Sequence, residues 1–242
     1  MHMSRRMSFV VGIVVILTLL VPLLWAQGAI ETVKRRHLTA EDVSRQYLSR
    51  HPKPRDEVEK SIIAVMEDMY ANQSRGMGNV LPEDGRLMRM LTETLGAKHV
   101  VEVGTANGYS AMWFCLALRS TGGRLTTHEI DLKRIALAKK NFNRAGVDDL
   151  ITLVEGDAHE TIGRLTEPID LLLLDAEKEG FTDYLYQLLP LVRTGGLVIA
   201  HDSSGQAHMM EEYFQAIVRN PDLETVFVDA SRWGMAITRK MR

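Results

Sequence analysis

Val100-Val101-Glu102-Val103-Gly104-Thr105-Ala106-Asn107-Gly108-Tyr109-Ser110 is an apolar run that breaks at a glycine turn and resumes as a helical pattern. Residues 100–103 predict a strand and 109–118 a helix. Downstream, short runs rich in Val, Ile and Leu recur at 125–130, 151–154, 169–174 and 197–200, separated by amphipathic stretches at 132–145, 182–192 and 206–218. Near-continuous apolar strands alternating with helices imply a parallel sheet covered on both faces. Two further strands, 225–228 and 235–238, are joined by a link too short for a parallel crossover and predict an antiparallel edge hairpin. The expected fold is a doubly wound α/β domain with a mostly parallel seven-stranded sheet.

In open α/β sheets, ligands bind beyond the carboxyl ends of the strands. Acids collect there in this chain: Glu102 before Gly104, Glu129-Ile130-Asp131, Gly156-Asp157-Ala158, Asp175-Ala176-Glu177-Lys178 and His201-Asp202-Ser203-Ser204. Gly104 and Gly108 allow close approach of a ligand to the backbone. Glu129 follows at about the offset where an acid meets ribose hydroxyls. The turn is not Gly-x-Gly-x-x-Gly, since Ala106 and Tyr109 stand at the later glycine positions. A ligand with a ribose but no phosphates fits better than a dinucleotide.

The net charge of −2 excludes a whole-protein field that draws the chain to nucleic acid. With 45% hydrophobic and 25% charged residues the chain is globular, not disordered. Cys115 is the one cysteine, so no intrachain disulfide forms; it reads as a small buried hydrophobe on a helix. Upstream of the sheet, Val58, Ile62, Val65, Met66 and Met69 recur at helical spacing within 56–73, and Leu87, Met90 and Leu91 do so after Pro82.

These residues carry a resemblance, over roughly Met77 to the C-terminus, to the class I S-adenosylmethionine methyltransferases with their Rossmann-like fold. More narrowly, the chain resembles the metal-dependent O-methyltransferases that include catechol and caffeoyl-CoA enzymes. The markers are Asn79-Val80 before Gly85, Val101 to Thr105 with Gly108-Tyr109-Ser110, Glu129, Gly156-Asp157-Ala158, the run from Asp170 to Lys178, and Gly195-Gly196 leading to Asp202. The resemblance implies transfer of a methyl group from S-adenosylmethionine to the hydroxyl of a small, aromatic acceptor. It implies a cofactor set of Val80, Glu102, Gly104, Thr105, Gly108, Ser110, Glu129, Ile130, Asp157, Ala158 and Asp175. Asp175, Asp202 and Ser203 would bind a divalent metal, Mg in the first instance, and Lys178 would be the base. By the same resemblance, Asp175 and Lys178 would form the catalytic pair.

Two departures matter. Ser203 stands where the family has Asn, and a serine hydroxyl is a shorter, poorer ligand. Gly76 stands where catechol enzymes carry an aromatic gate, which turns the expectation away from catechol. A methyltransferase acting on modified RNA bases and a non-catalytic cofactor-binding relative remain alternatives. His201 could line the site, whereas His128 and His159 read as structural. Phe181, Tyr184 and Trp233 read as acceptor-pocket wall or core. A homodimer is left open.

Residues 1–28 form a hydrophobic segment, 29–55 a linker with a short helix at 40–50, and 56–242 the catalytic domain. The run 9–26 is apolar apart from Gly12, Thr18 and Pro22, with Arg5 and Arg6 before it and Lys34, Arg35 and Arg36 after it. It predicts a single membrane anchor with the domain facing the cytoplasm, where the methyl donor is made. The alternative is export after cleavage near Ala26 or Gly28.

Overall fold

A computed structural model describes residues 40–242. Helices α1 (Ala40–Tyr47), α2 (Glu57–Asn72) and α3 (Pro82–Leu95) precede the alternating part. Then follow β1 (His99–Val103), α4 (Tyr109–Thr121), β2 (Arg124–Glu129), α5 (Leu132–Ala145), β3 (Ile151–Glu155), the single turn α6 (Ala158–Thr161) and β4 (Ile169–Leu174). The order closes with α7 (Phe181–Leu188), β5 (Val192–His201), α8 (Glu211–Arg219), β6 (Leu223–Val228) and β7 (Met235–Lys240).

The strands form one seven-stranded sheet in the order β3-β2-β1-β4-β5-β7-β6. The five from β3 to β5 are parallel, and β7 runs antiparallel between β5 and β6. The doubly wound sheet and its antiparallel edge pair are as expected. Every residue of β1 is buried, as a central parallel strand requires. Residues 109–118 of α4 are buried all round. This helix lies under α2 and α3, so it has no solvent face and is apolar throughout. Two apolar layers result. One joins α2, α3 and α4 to one sheet face through residues such as Met66, Met88, Trp113 and Leu173. The other joins α7 and α8 to the opposite face through Leu172, Leu185 and Tyr213.

Several boundaries differ from the sequence reading. Helix α7 stops at Leu188, and β5 begins at Val192 instead of 197, because the pairing with β4 shifts register between Ile169 and Leu171 and so accommodates Gly195 at φ 80°. Helix α8 begins at Glu211, after a 3-10 turn over Ala207–Met209. Ile130 lies just past β2 and is exposed. At the end of the linker stretch, His51 is buried: its Nε2 lies 2.8 Å from the Tyr109 hydroxyl and its ring stacks on Trp113.

The expectation of a membrane-anchored protein is corrected. Among the described residues no helix is long and apolar enough to cross a membrane. The run 9–26 on which the anchor and its cytoplasmic orientation rested lies outside the described residues.

Candidate active site

A cleft of about 770 Å³ opens at the carboxyl ends of β1, β2, β3, β4 and β5. Val80, Gly104, Thr105, Ser110, Glu129, Ile130, Asp157, Ala158, Asp175, Lys178 and Asp202 all line it.

At one end the backbone does the shaping. Gly104 holds φ 100°, and a Cβ there would stand 2.4 Å from the carbonyl oxygen of Asp175. Glycine is therefore required by both dihedral and space, which lets β1 and β4 close up beneath the cleft. Glu129 is fixed by three backbone donors. Its Oε2 accepts from the Ala106 N–H at 2.7 Å, and its Oε1 accepts from those of Ile130 at 3.0 Å and Asp131 at 2.9 Å. Oε1 thus accepts two bonds, whereas Oε2 keeps a second lone-pair direction for a ligand hydroxyl.

Behind the turn, Glu102 is fully buried and accepts from the hydroxyls of Ser110 and Thr127, each at 2.5 Å. Burial pushes its carboxyl up to about 7, against the pull of those two hydroxyls. Glu102 does not line the cleft; it reaches it through Ser110. Asn79 was not singled out from the sequence except as a neighbour of Val80. It lines the cleft with both amide atoms enclosed and unpartnered.

On the cleft wall, His159 stacks against Tyr184 at 4.5 Å between ring centres. Its ring nitrogens lie 2.5 Å from Asp183 Oδ2 and 3.2 Å from Glu177 Oε1. The hydrogen bond to Asp183, with the Glu177 charge adding to it, raises its imidazole above the ordinary range. Glu177 also accepts from the Tyr184 hydroxyl. His159 is thus part of a polar cluster and not a lone surface histidine.

At the other end, side chains do the shaping. Lys178 is 5% exposed, and its Nζ donates to Asp175 Oδ1 at 3.4 Å and to the Ala176 carbonyl at 3.2 Å, and pairs with Asp202 Oδ2 at 3.0 Å. Below it lies the ring of Phe181, 4.7 Å from Nζ. His201, at the end of β5, faces Asp175 Oδ1 at 3.1 Å and Asp202 Oδ1 at 3.3 Å through Nδ1, and Asp84 Oδ2 at 3.2 Å through Nε2. Burial alone would lower this imidazole, but Asp175, Asp84 and Asp202 together raise it to about 10.

Asp84, on α3, is fully buried and also accepts from Ser231. It escaped the sequence reading because its partners lie 117 and 147 residues away. The signal that could have found it is a carboxylate on the buried face of an amphipathic helix. Ser203 is buried with its hydroxyl unpartnered and does not line the cleft. Of the aromatic candidates, Tyr184 lines the cleft, Phe181 lies beneath it, and Trp233 packs over Gly205.

A family model described as O-methyltransferase matches residues 55–219. A catechol O-methyltransferase of Niastella koreensis is 34% identical over 138 residues, covering 55% of this chain and 62% of that protein. The chain thus spans less than two thirds of the length of the curated relatives it matches. Among solved structures, an O-methyltransferase from Bacillus cereus in complex with SAH is 24% identical, covers 81% of this chain and 96% of its own, and superposes with a TM-score of 0.67. An SAH-bound methyltransferase from Podospora anserina is 20% identical, covers 79% and 90%, and superposes with a TM-score of 0.70. These two likenesses concern the fold, whereas the family match runs from Arg55 through α8 and so takes in both ends of the cleft: the chain belongs to the O-methyltransferase family.

Proposed function

We propose that the chain transfers a methyl group from S-adenosylmethionine to a hydroxyl oxygen of a small, aromatic acceptor, with help from a divalent cation. The observation that carries this reading is the meeting of Lys178, Asp175 and Asp202 in the same cleft as the glycine turn and Glu129. The acids along the cleft, among them Glu129, Asp157, Glu177 and Glu179, repel a polyanion and favour a small acceptor over RNA.

In this reading Glu129 accepts from the ribose hydroxyls, Asp157 and Ala158 flank the adenine, and Ser110 and Asp175 hold the methionine end. Val80 and Ile130 supply apolar contact. The acceptor oxygen attacks the methyl carbon in line. The carbon–sulfur bond breaks with its electron pair passing to sulfur, so the sulfonium becomes a neutral thioether. Lys178 Nζ, beside Asp175 and Asp202, is the group placed to take the hydroxyl proton. Holding donor and acceptor in line supplies much of the rate, up to about 7–11 kcal/mol in the best cases.

The residues present fit a divalent cation: Asp175, His201 and Asp202 each offer a ligand atom, all within 4.8 Å of one another. When bound, such a cation lowers the pKa of the acceptor hydroxyl. The test is incubation of the purified chain with labelled S-adenosylmethionine and a panel of phenols, catechols, phenylpropanoid esters and transfer RNA. Label in a small hydroxyl compound is expected; label in transfer RNA alone, or in nothing, overturns the reading.

A further inference from the structure

The two carboxylates at this end of the cleft converge on two nitrogens, Lys178 Nζ and His201 Nδ1. His201 is 1% exposed, and its two ring nitrogens have different surroundings. Nε2 faces Asp84, a fully buried carboxylate that Ser231 also holds. Nδ1 faces the space shared by Asp175 and Asp202. A histidine whose far nitrogen donates to a buried carboxylate presents its near nitrogen in a fixed direction, the usual way a protein orients imidazole toward a metal.

The spacing agrees. Around a cation with bonds of about 2.1 Å, ligand atoms at right angles lie about 3.0 Å apart. The Nδ1 separations are 3.1 and 3.3 Å. Asp202 adopts φ 65°, a left-handed backbone that Asp tolerates more readily than most non-glycine residues. Ser203, the residue the family pattern would use as third ligand, is buried with its hydroxyl unpartnered and, like His201, stands behind the residues that line the cleft.

We infer that the cation site is built from two carboxylates and one imidazole, Asp175, His201 and Asp202, with Asp84 as positioning residue, and that it prefers Mn²⁺ or Co²⁺ to Mg²⁺. This rests on the metal half of the proposed function and deepens it. Imidazole nitrogen suits first-row transition metals, whereas Mg²⁺ demands oxygen.

The test strips the full-length chain with chelator and titrates it calorimetrically with Mn²⁺, Co²⁺ and Mg²⁺. Pulsed electron paramagnetic resonance of the Mn²⁺ complex reads the ligand nucleus directly. Mn²⁺ and Co²⁺ are expected to bind at least about tenfold more tightly than Mg²⁺, with modulation from a coordinated ¹⁴N. His201→Asn should erase the nitrogen signal and the preference while keeping S-adenosylmethionine affinity. Asp84→Asn should weaken Mn²⁺ binding about 10–100-fold, and Ser203→Ala should change neither. A nitrogen-free spectrum in the unmutated chain overturns the inference even where His201→Asn fails to fold. So does His201→Asn with its preference intact. If none of the three cations binds while turnover survives chelator, the metal half of the proposed function falls and this inference with it. Tight Mg²⁺ binding without a nitrogen signal sinks this inference alone.

Discussion

The two ends of the cleft are held by different means. At the glycine turn the backbone positions everything: Gly104 lets β1 lie against β4, and three N–H groups fix Glu129. At the carboxylate end, Lys178, His201, Asp175, Asp202 and Asp84 hold one another through side chains drawn from α3, β5 and the segments after β4 and β5. The first end tolerates few backbone changes but is locally specified. The second is a charge network in which each member depends on the others, so single changes should propagate.

Lys178→Met sharpens this contrast most. It should lower turnover by about 10²–10⁴-fold while leaving affinity for S-adenosylmethionine unchanged in calorimetry. Equal losses in both would mean that the two ends are not separable. Next comes Gly104→Ala, which should destabilise the fold by about 1–3 kcal/mol from the backbone alone. The clash of its Cβ with Asp175 adds to this, seen as a lower denaturation midpoint and lost donor binding. A variant as stable as the parent would show that the close approach is not required. Glu129→Gln should weaken donor binding by about 1.5–3 kcal/mol, the value of a bond to a charged group, with the turnover of bound donor largely kept. Unchanged affinity would remove Glu129 from the ribose.

The remaining effect is on pH dependence. Glu102 is raised from 4.5 to about 7 in the folded chain, so between those values the folded state keeps a proton that the unfolded state has lost. Its contribution is fully present below the unfolded value and is lost as pH rises through the folded one. Stability should therefore fall across that window, by at most about 1.4 kcal/mol per pH unit. Glu102→Gln should flatten that part of the profile in urea unfolding; an unaltered slope would assign it elsewhere.

The same contrast explains what was legible beforehand. The strand runs 100–103 and 169–174, the glycine turn and the strand-end acids are local patterns, and they placed the sheet and most of the cleft wall. The start of β5 was missed because a ten-residue strand that passes through Gly195-Gly196 has no continuous apolar signature. Ile130 was read into β2 because its side chain is apolar, although it caps the strand end toward the cleft. The carboxylate end was half legible. Asp175, Lys178 and Asp202 announce themselves by position, but the Asp84–His201–Ser231 link is a contact between distant segments, which no local pattern encodes. The anchor expectation rested on residues 9–26, outside the described part, and no described helix supports it.

Strand β7 lies between β5 and β6, although it follows both in the chain. That placement gives the site a birth order. On a ribosome, the glycine turn and Glu129 can assemble as soon as β1 and β2 emerge. Asp84 waits 117 residues for His201 and 147 for Ser231, and β5 stays an open edge until Met235–Lys240 arrives to cover it. The glycine turn and Glu129 are therefore synthesised well before the Asp84–His201–Ser231 link can close. A ribosome halted after β6 would release a protein with unsheltered strand edges, open to aggregation and degradation. Covering the edge of β5 thus falls to the strand synthesised last of the seven, which sets Met235 beside His201.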